Sequence, residues 1–99
     1  MNKEELTKTL KAAAEYFSQR GIADWELEAR DAIQKIENND FSFIESLWLK
    51  YAPTCDIDDL LITDYKPEEE KAVNELNDKL AEIANSTFAA LDKAKSENT

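Results

Sequence analysis

The sequence predicts an all-α protein, bundle-like, with four main helices and a short extra helical turn between the third and fourth. Three observations predict it. The 99 residues include one glycine and two prolines, too few breakers for the many turns of an all-β chain. Ala, Leu, Glu and Lys, all strong helix formers, are abundant. Apolar residues recur at intervals of three and four, which collects them on one side of a helix. No internal repeat and no dividing linker interrupts the chain, so residues 1–99 read as a single helical domain.

The first helix is expected from Lys3 to Arg20. Leu6, Leu10, Ala13, Ala14 and Phe17 share a face. Asn2 can cap its first turn, and Glu4 and Glu5 suit the positive end of the helix dipole. Gly21 ends it, because glycine tolerates the left-handed conformation that follows a helix.

The second helix is expected to start at Asp24 as N-cap. Its stripe is Trp25, Ala29, Ala32, Ile33 and Ile36. Ile22 can fold back on the first turn as a hydrophobic staple. Asn38 and Asn39 stop the helix.

The third helix is expected over residues 43–51, opened by a Ser42/Glu45 capping box and closed by Pro53. Ile44, Leu47, Trp48 and Tyr51 form one stripe, while Phe43 and Leu49 lie off it. Such all-round apolarity predicts a central helix, covered on several sides. A loop at Pro53, Thr54, Cys55 and Asp56 follows, with Cys55 as a small half-buried filler. One helical turn then plugs the core with Leu60, Leu61 and Ile62, although so short an apolar run also fits a strand. Asp56 can cap that turn.

The last helix begins with Pro67 at the first helical position, followed by Glu68, Glu69 and Glu70 on the positive dipole end. Its stripe is Val73, Leu76, Leu80, Ile83, Thr87 and Ala90 or Leu91, flanked by Ala84 and Phe88. This stripe serves as the backbone of the bundle. A coiled-coil homodimer would need a second stripe beyond the one the chain's own core consumes. The tail, residues 96–99, is expected to fray.

Composition excludes several functions. The net charge is −10, from 22 acidic and 12 basic side chains, so phosphate backbones and anionic membranes repel the chain and basic proteins attract it. Charge of this sign also keeps cytosolic proteins in solution. The single cysteine forbids an intrachain disulfide and fits a reducing compartment. The N-terminal residues lack a signal-peptide pattern, Met1 reads as a native start, and no apolar run reaches about 20 residues. The expected location is cytoplasmic.

Catalytic chemistry is poorly supplied. With no histidine, imidazole triads and imidazole metal sites are absent. A single glycine cannot build a phosphate-cradling loop. Cys55 stands among aspartates, which disfavour a thiolate. Asp56, Asp58 and Asp59 resemble the start of a calcium loop, but the glycine position holds Leu61 and the terminal glutamate position holds Pro67. A binding protein without cofactor, metal or catalytic residues is expected, not an enzyme.

The negative charge is unevenly placed. Residues 3–20 carry +1, residues 24–40 carry −4, and residues 56–70 carry −6. Glu68, Glu69 and Glu70 are accounted for by the helix dipole. Asp56, Asp58, Asp59 and Asp64 are not. Trp48, Tyr51 and Tyr65 lie close by in sequence, and carboxylates around aromatic anchors suit the docking of a basic protein. The candidate contact residues are therefore Asp56, Asp58, Asp59, Asp64, Glu68 and Glu69, with Trp48, Tyr51 and Tyr65 as anchors.

Residues 40–62 combine an acidic turn, an aromatic-rich short helix, a tight loop and the run Asp59-Leu60-Leu61-Ile62, preceded by the Trp25 helix. This half of the chain resembles a group of short bacterial helical proteins, some of which neutralise toxins delivered by neighbouring bacteria. The loop before the Asp-Leu pair is usually glycine-rich in that group, whereas this chain has Pro53-Thr54-Cys55. The resemblance implies an immunity protein that inhibits a basic protein toxin by stoichiometric binding, and it implies no catalytic residue. Two other readings accompany it: a homodimeric structural or adaptor protein joined through the last helix at Leu80 and Leu91, and a DNA-mimic inhibitor whose carboxylates imitate phosphates.

Overall fold

The computed structural model describes residues 2–53 and 55–97, and these form an all-α fold. Four helices follow in order: α1 Lys3–Arg20, α2 Ala23–Glu37, α3 Ile44–Tyr51 and α4 Glu70–Glu97. Two 3₁₀ turns, Asp56–Leu60 and Pro67–Glu69, lie between α3 and α4. Among the described residues there is no strand. The molecule measures 46 × 21 × 18 Å. Its long axis matches α4, whose 28 residues span about 42 Å at the α-helical rise.

The centre of the fold is α1, not α3. It packs along both α2 and α4. Leu6, Leu10, Ala13, Ala14, Tyr16 and Phe17 are all buried, and on a helical wheel they cover an arc of about 160°. That arc is wide enough for two neighbours. Tyr16 supplies its outer edge and was not part of the expected stripe. By contrast, α3 lies mainly against α4 and exposes Leu49 (53%), so its all-round apolarity does not make it central.

Two short turns fold the helices back. Gly21 takes φ +70°; its N–H donates to the Ser18 carbonyl (3.1 Å), and the Ile22 N–H donates to that of Phe17 (2.9 Å). This pair of bonds is a Schellman motif. It delivers the chain straight into α2, so Ile22 itself is the N-cap and its carbonyl receives Glu26 N–H (3.1 Å). Asp24, expected as the cap, lies inside the first turn and accepts from the Trp25 N–H (3.0 Å). Ile22 packs half-buried on the core from the cap position itself. After α2 the same pattern recurs with Asn39 at φ +58°, as Asn39 N–H donates to Ile36 and Asp40 N–H to Lys35.

The Ser42/Glu45 capping box does not form. The Ser42 hydroxyl donates to Asp40 Oδ1 (2.7 Å), and so does the Ser42 N–H (3.1 Å). With its hydroxyl engaged backwards, Ser42 cannot cap forwards, and α3 starts at Ile44 behind an uncapped Phe43.

The turn after α3 is plugged chiefly by Ile57, which is 1% exposed; of the expected plug, Leu60 packs half-buried against the core, Ile62 is half-buried and Leu61 is exposed. Side chains three apart eclipse in a 3₁₀ turn. Ile57 and half-buried Leu60 therefore share the inner side, and Leu61 is turned outward. Cys55 is exposed rather than half-buried and holds the N-cap position expected of Asp56. Thr54 of the expected loop lies outside the described residues, as does Met1.

In α4 the expected stripe is buried at Val73, Leu80, Ile83, Thr87, Ala90 and Leu91, and the burial continues to Ala94. Pro67 opens the 3₁₀ turn that feeds the helix. Ser96 and Glu97, expected to fray, remain helical. Asn98 and Thr99 lie outside the described residues. No helix among the described residues is long and apolar enough to cross a membrane.

Candidate functional site

Residues 56–70 carry seven carboxylates and one ammonium, Lys66, and the fold keeps all of these side chains at the surface. Asp56, Asp58 and Asp59 line the 3₁₀ turn whose other side is anchored by Ile57. Asp64 sits on the extended chain of residues 61–66, and Glu68 on the second 3₁₀ turn. None of the side-chain carboxylates of Asp56, Asp58, Asp59, Asp64 and Glu68 has an ion-pair or hydrogen-bond partner among the described residues. Glu69 differs: its Oε1 accepts from the Lys66 N–H (3.2 Å), while its own N–H donates to the Lys66 carbonyl (2.9 Å). It helps to start α4 as well as contributing charge.

This acidic segment is tied to the bundle by polar tethers. Arg20, the last residue of α1, donates from Nη1 to the Leu60 carbonyl (2.7 Å) and to the Tyr16 hydroxyl (3.0 Å). The Tyr16 hydroxyl in turn donates to the Leu76 carbonyl of α4 (2.9 Å). One guanidinium thus fixes the end of the first 3₁₀ turn to α1 and α4 together. The guanidinium also lies 5.6 Å from the centre of the Tyr16 ring. Two residues on, the Asn77 side chain satisfies both backbone groups of Ile62: Oδ1 accepts from its N–H (2.9 Å) and Nδ2 donates to its carbonyl (3.1 Å).

The three aromatic anchors part company. Tyr65 stays with the carboxylates, 40% exposed. Tyr51 is 1% exposed and meets the Trp25 ring edge-on at 5.5 Å. Burial, with Glu28 adding to it, pushes its hydroxyl pKa well above the usual value. It is a core residue and cannot anchor a partner. Trp48 is half-buried on the far half of α4: its Nε1 donates to Asp92 Oδ1 (3.0 Å), its ring lies 5.8 Å from that of Phe88, and Lys95 Nζ stands 4.7 Å from its centre. Asp92 is fifteen residues beyond Asn77, about 22 Å along the helix. Trp48 therefore belongs to a different surface from the carboxylates.

Sequence reasoning missed Leu61, which is 41% exposed on the same extended chain as Tyr65. The signal was available in the 3₁₀ spacing: if Ile57 and Leu60 point inward, Leu61 cannot. The dimer seam also looks different in three dimensions. Leu80 and Leu91 are 2% and 0% exposed within the chain's own core, so they leave no surface for a second copy. Among the described residues, no group of three His, Cys, Asp or Glu side chains is placed to hold a metal ion. The carboxylates are spread over a surface and project a field rather than enclose a ligand.

Comparison of the chain with protein-family models, with curated proteins and with solved structures returned no match.

Proposed function

We propose that this chain is a stoichiometric binding protein whose acidic end, residues 56–70, docks a basic protein. The observation that carries the reading is a group of exposed carboxylates, Asp56, Asp58, Asp59, Asp64 and Glu68, that no internal cation neutralises. Some carboxylates elsewhere are paired, Glu26 with Arg30 (2.9 Å), Asp31 with Lys35 (3.3 Å) and Glu28 with Lys50 (2.8 Å). Unpaired charge of one sign steers an oppositely charged partner to the surface and speeds encounter at low salt. Tyr65 and Leu61 supply the apolar contact that charge alone lacks. Inhibition of a protein toxin is the form of this function that the resemblance of residues 40–62 favours; the chain would act by covering the toxin's working surface, with no catalysis of its own.

The test is capture from a lysate of the source organism, with tagged wild type beside an Asp58→Lys/Asp59→Lys variant. The expected result is a basic protein held one-to-one by the wild type and lost from the variant. Expressed alone, that protein should arrest growth, and co-expression of the wild-type chain should restore it. A partner held equally by both forms would place the contact elsewhere and overturn the reading.

A further inference from the structure

The acidic segment is fastened at a few places: Ile57 in the core, Leu60 and Ile62 through their backbones, and Lys66 through its bonds with Glu69. Each unpaired carboxylate stands close to one of them in sequence. Asp56 and Asp58 flank Ile57, Asp59 adjoins Leu60, Asp64 lies two residues past Ile62, and Glu68 lies between Lys66 and Glu69. The fastenings therefore set where the charges are, against the mutual repulsion of the carboxylates.

Arg20 is the unexpected member of this set. It is half-buried beside a segment with seven carboxylates, yet among the described residues its guanidinium pairs with none of them. Nη1 is spent on two neutral oxygens instead, the Leu60 carbonyl (2.7 Å) and the Tyr16 hydroxyl (3.0 Å). Tyr16 is 1% exposed, and its own hydroxyl proton goes to the Leu76 carbonyl of α4 (2.9 Å). A buried phenol thus braces the guanidinium from behind while the guanidinium holds the last residue of the first 3₁₀ turn. A planar, rigid fork of donors suits this work better than a flexible ammonium. As a charge, Arg20 does not serve the surface, since a cation there weakens the attraction for a basic partner. Its place is explained by what it holds.

We propose that Arg20, braced by Tyr16, is the positioning residue of the docking surface. It fixes the turn at Leu60 while Asn77 fixes Ile62, so that Asp58, Asp59 and Asp64 meet a folded basic partner as one preformed array. A preformed array avoids the ordering cost that a loose one meets on binding. The inference rests on the reading of the acidic end as the surface for a basic protein, and adds what holds that surface in shape. Charge and position act here with opposite signs. Removing the Arg20 cation strengthens the field that attracts a basic partner, whereas removing its hydrogen bonds loosens the array.

The experiment uses the full chain and two synthetic probes at low salt, each carrying the same number of lysines. One is an alanine-based helical peptide, which holds its lysines in a fixed array. The other is a glycine-serine peptide, which does not. Arg20→Met should bind the helical probe about fivefold more weakly than wild type, and the flexible probe at least as tightly. Tyr16→Phe, which leaves every charge in place, should weaken the helical probe about threefold and leave the flexible one unchanged. Arg20→Lys, which keeps the charge but not the fork, should fall between wild type and Arg20→Met. Circular dichroism should show the helices intact in all three. Asn77→Ser, at a half-buried position outside α1, covers the case in which a variant on α1 loses helicity, and should weaken the helical probe about threefold. Helical-probe binding that is unchanged or tighter in Arg20→Met, and unchanged in Asn77→Ser, overturns the positioning role and leaves the acidic surface standing. An equal loss for both probes overturns it too, because loss of structure alone would then suffice. Failure of both probes to bind the wild type overturns the two readings together.

Discussion

The α1 seam and the acidic end are held by different forces. Along α1, Leu10, Ala13, Ala14 and Phe17 are completely buried, and the energy of that region lies in close apolar packing. Across residues 55–69, Ile57 alone is buried. The rest is fastened by a few polar contacts from Arg20 and Asn77. One region resists opening because its parts interlock; the other can loosen whenever a small number of hydrogen bonds break. A binding surface built on the second kind of region can adjust to a partner without disturbing the first.

That contrast can be broken most forcefully at Leu10. Leu10→Ala leaves a cavity in the interlocked seam and should cost about 2–5 kcal/mol, measured by denaturant unfolding. If the acidic end were equally important to global stability, Arg20→Met would match it. Arg20→Met instead should cost about 1–3 kcal/mol and raise amide exchange mainly in residues 57–62, ahead of the helices. Uniform acceleration along the chain would erase the distinction between the two regions.

A third substitution probes the one polar flaw in the packed region. Thr87 is 1% exposed and its hydroxyl finds no hydrogen-bond partner among the described residues. An unmatched buried polar group is costly, so Thr87→Val should raise stability by about 1 kcal/mol, read as a higher midpoint of thermal unfolding. A loss would mean that the hydroxyl has a partner in solution, such as a buried water.

The smallest effect is expected at Asp40, on the exposed turn between α2 and α3. The Ser42 hydroxyl and N–H both donate to its carboxylate and hold its pKa below the 3.8 of an ordinary aspartate. Folding thus favours the ionised form. The associated stability is present above the unfolded-state pKa and is lost as pH falls through the lowered folded value. Carboxyl titration by NMR should show a midpoint for Asp40 below the ordinary one. Asp40→Asn should remove this small acid-side dependence, with little effect at neutral pH.

These differences also explain what was legible in the sequence. The limits of α1 were readable because its only glycine follows it and its stripe is regular. The α4 stripe was readable because alternating steps of three and four leave one solution. Local polar competition was not. Ser42 had a choice between Asp40 behind it and α3 ahead, and Ile22 was claimed by the Schellman turn before Asp24 could act. Burial of aromatics was equally hidden. Tyr51 and Trp48 share a stripe three residues apart, yet Tyr51 faces Trp25 while Trp48 lies at the α3–α4 rim. Only the packing of neighbouring helices separates them. The acidic character of residues 56–70 was visible directly, since exposed charge depends little on the fold. The exposure of Leu61 appeared only when the preceding turn proved to be 3₁₀.

The tether at Ile62 has a consequence for the integrity of the chain itself. Residues 61–66 join two parts, 2–60 and 67–97, that already meet along α1, α3 and α4. The peptide bonds between Ile62 and Lys66 therefore carry little of the mechanical connection between those parts. A single cut beside Tyr65 should yield two fragments that remain clasped as one particle, and new termini or an inserted module should be tolerated there. The molecule behaves as two interlocked pieces that happen to share one covalent thread.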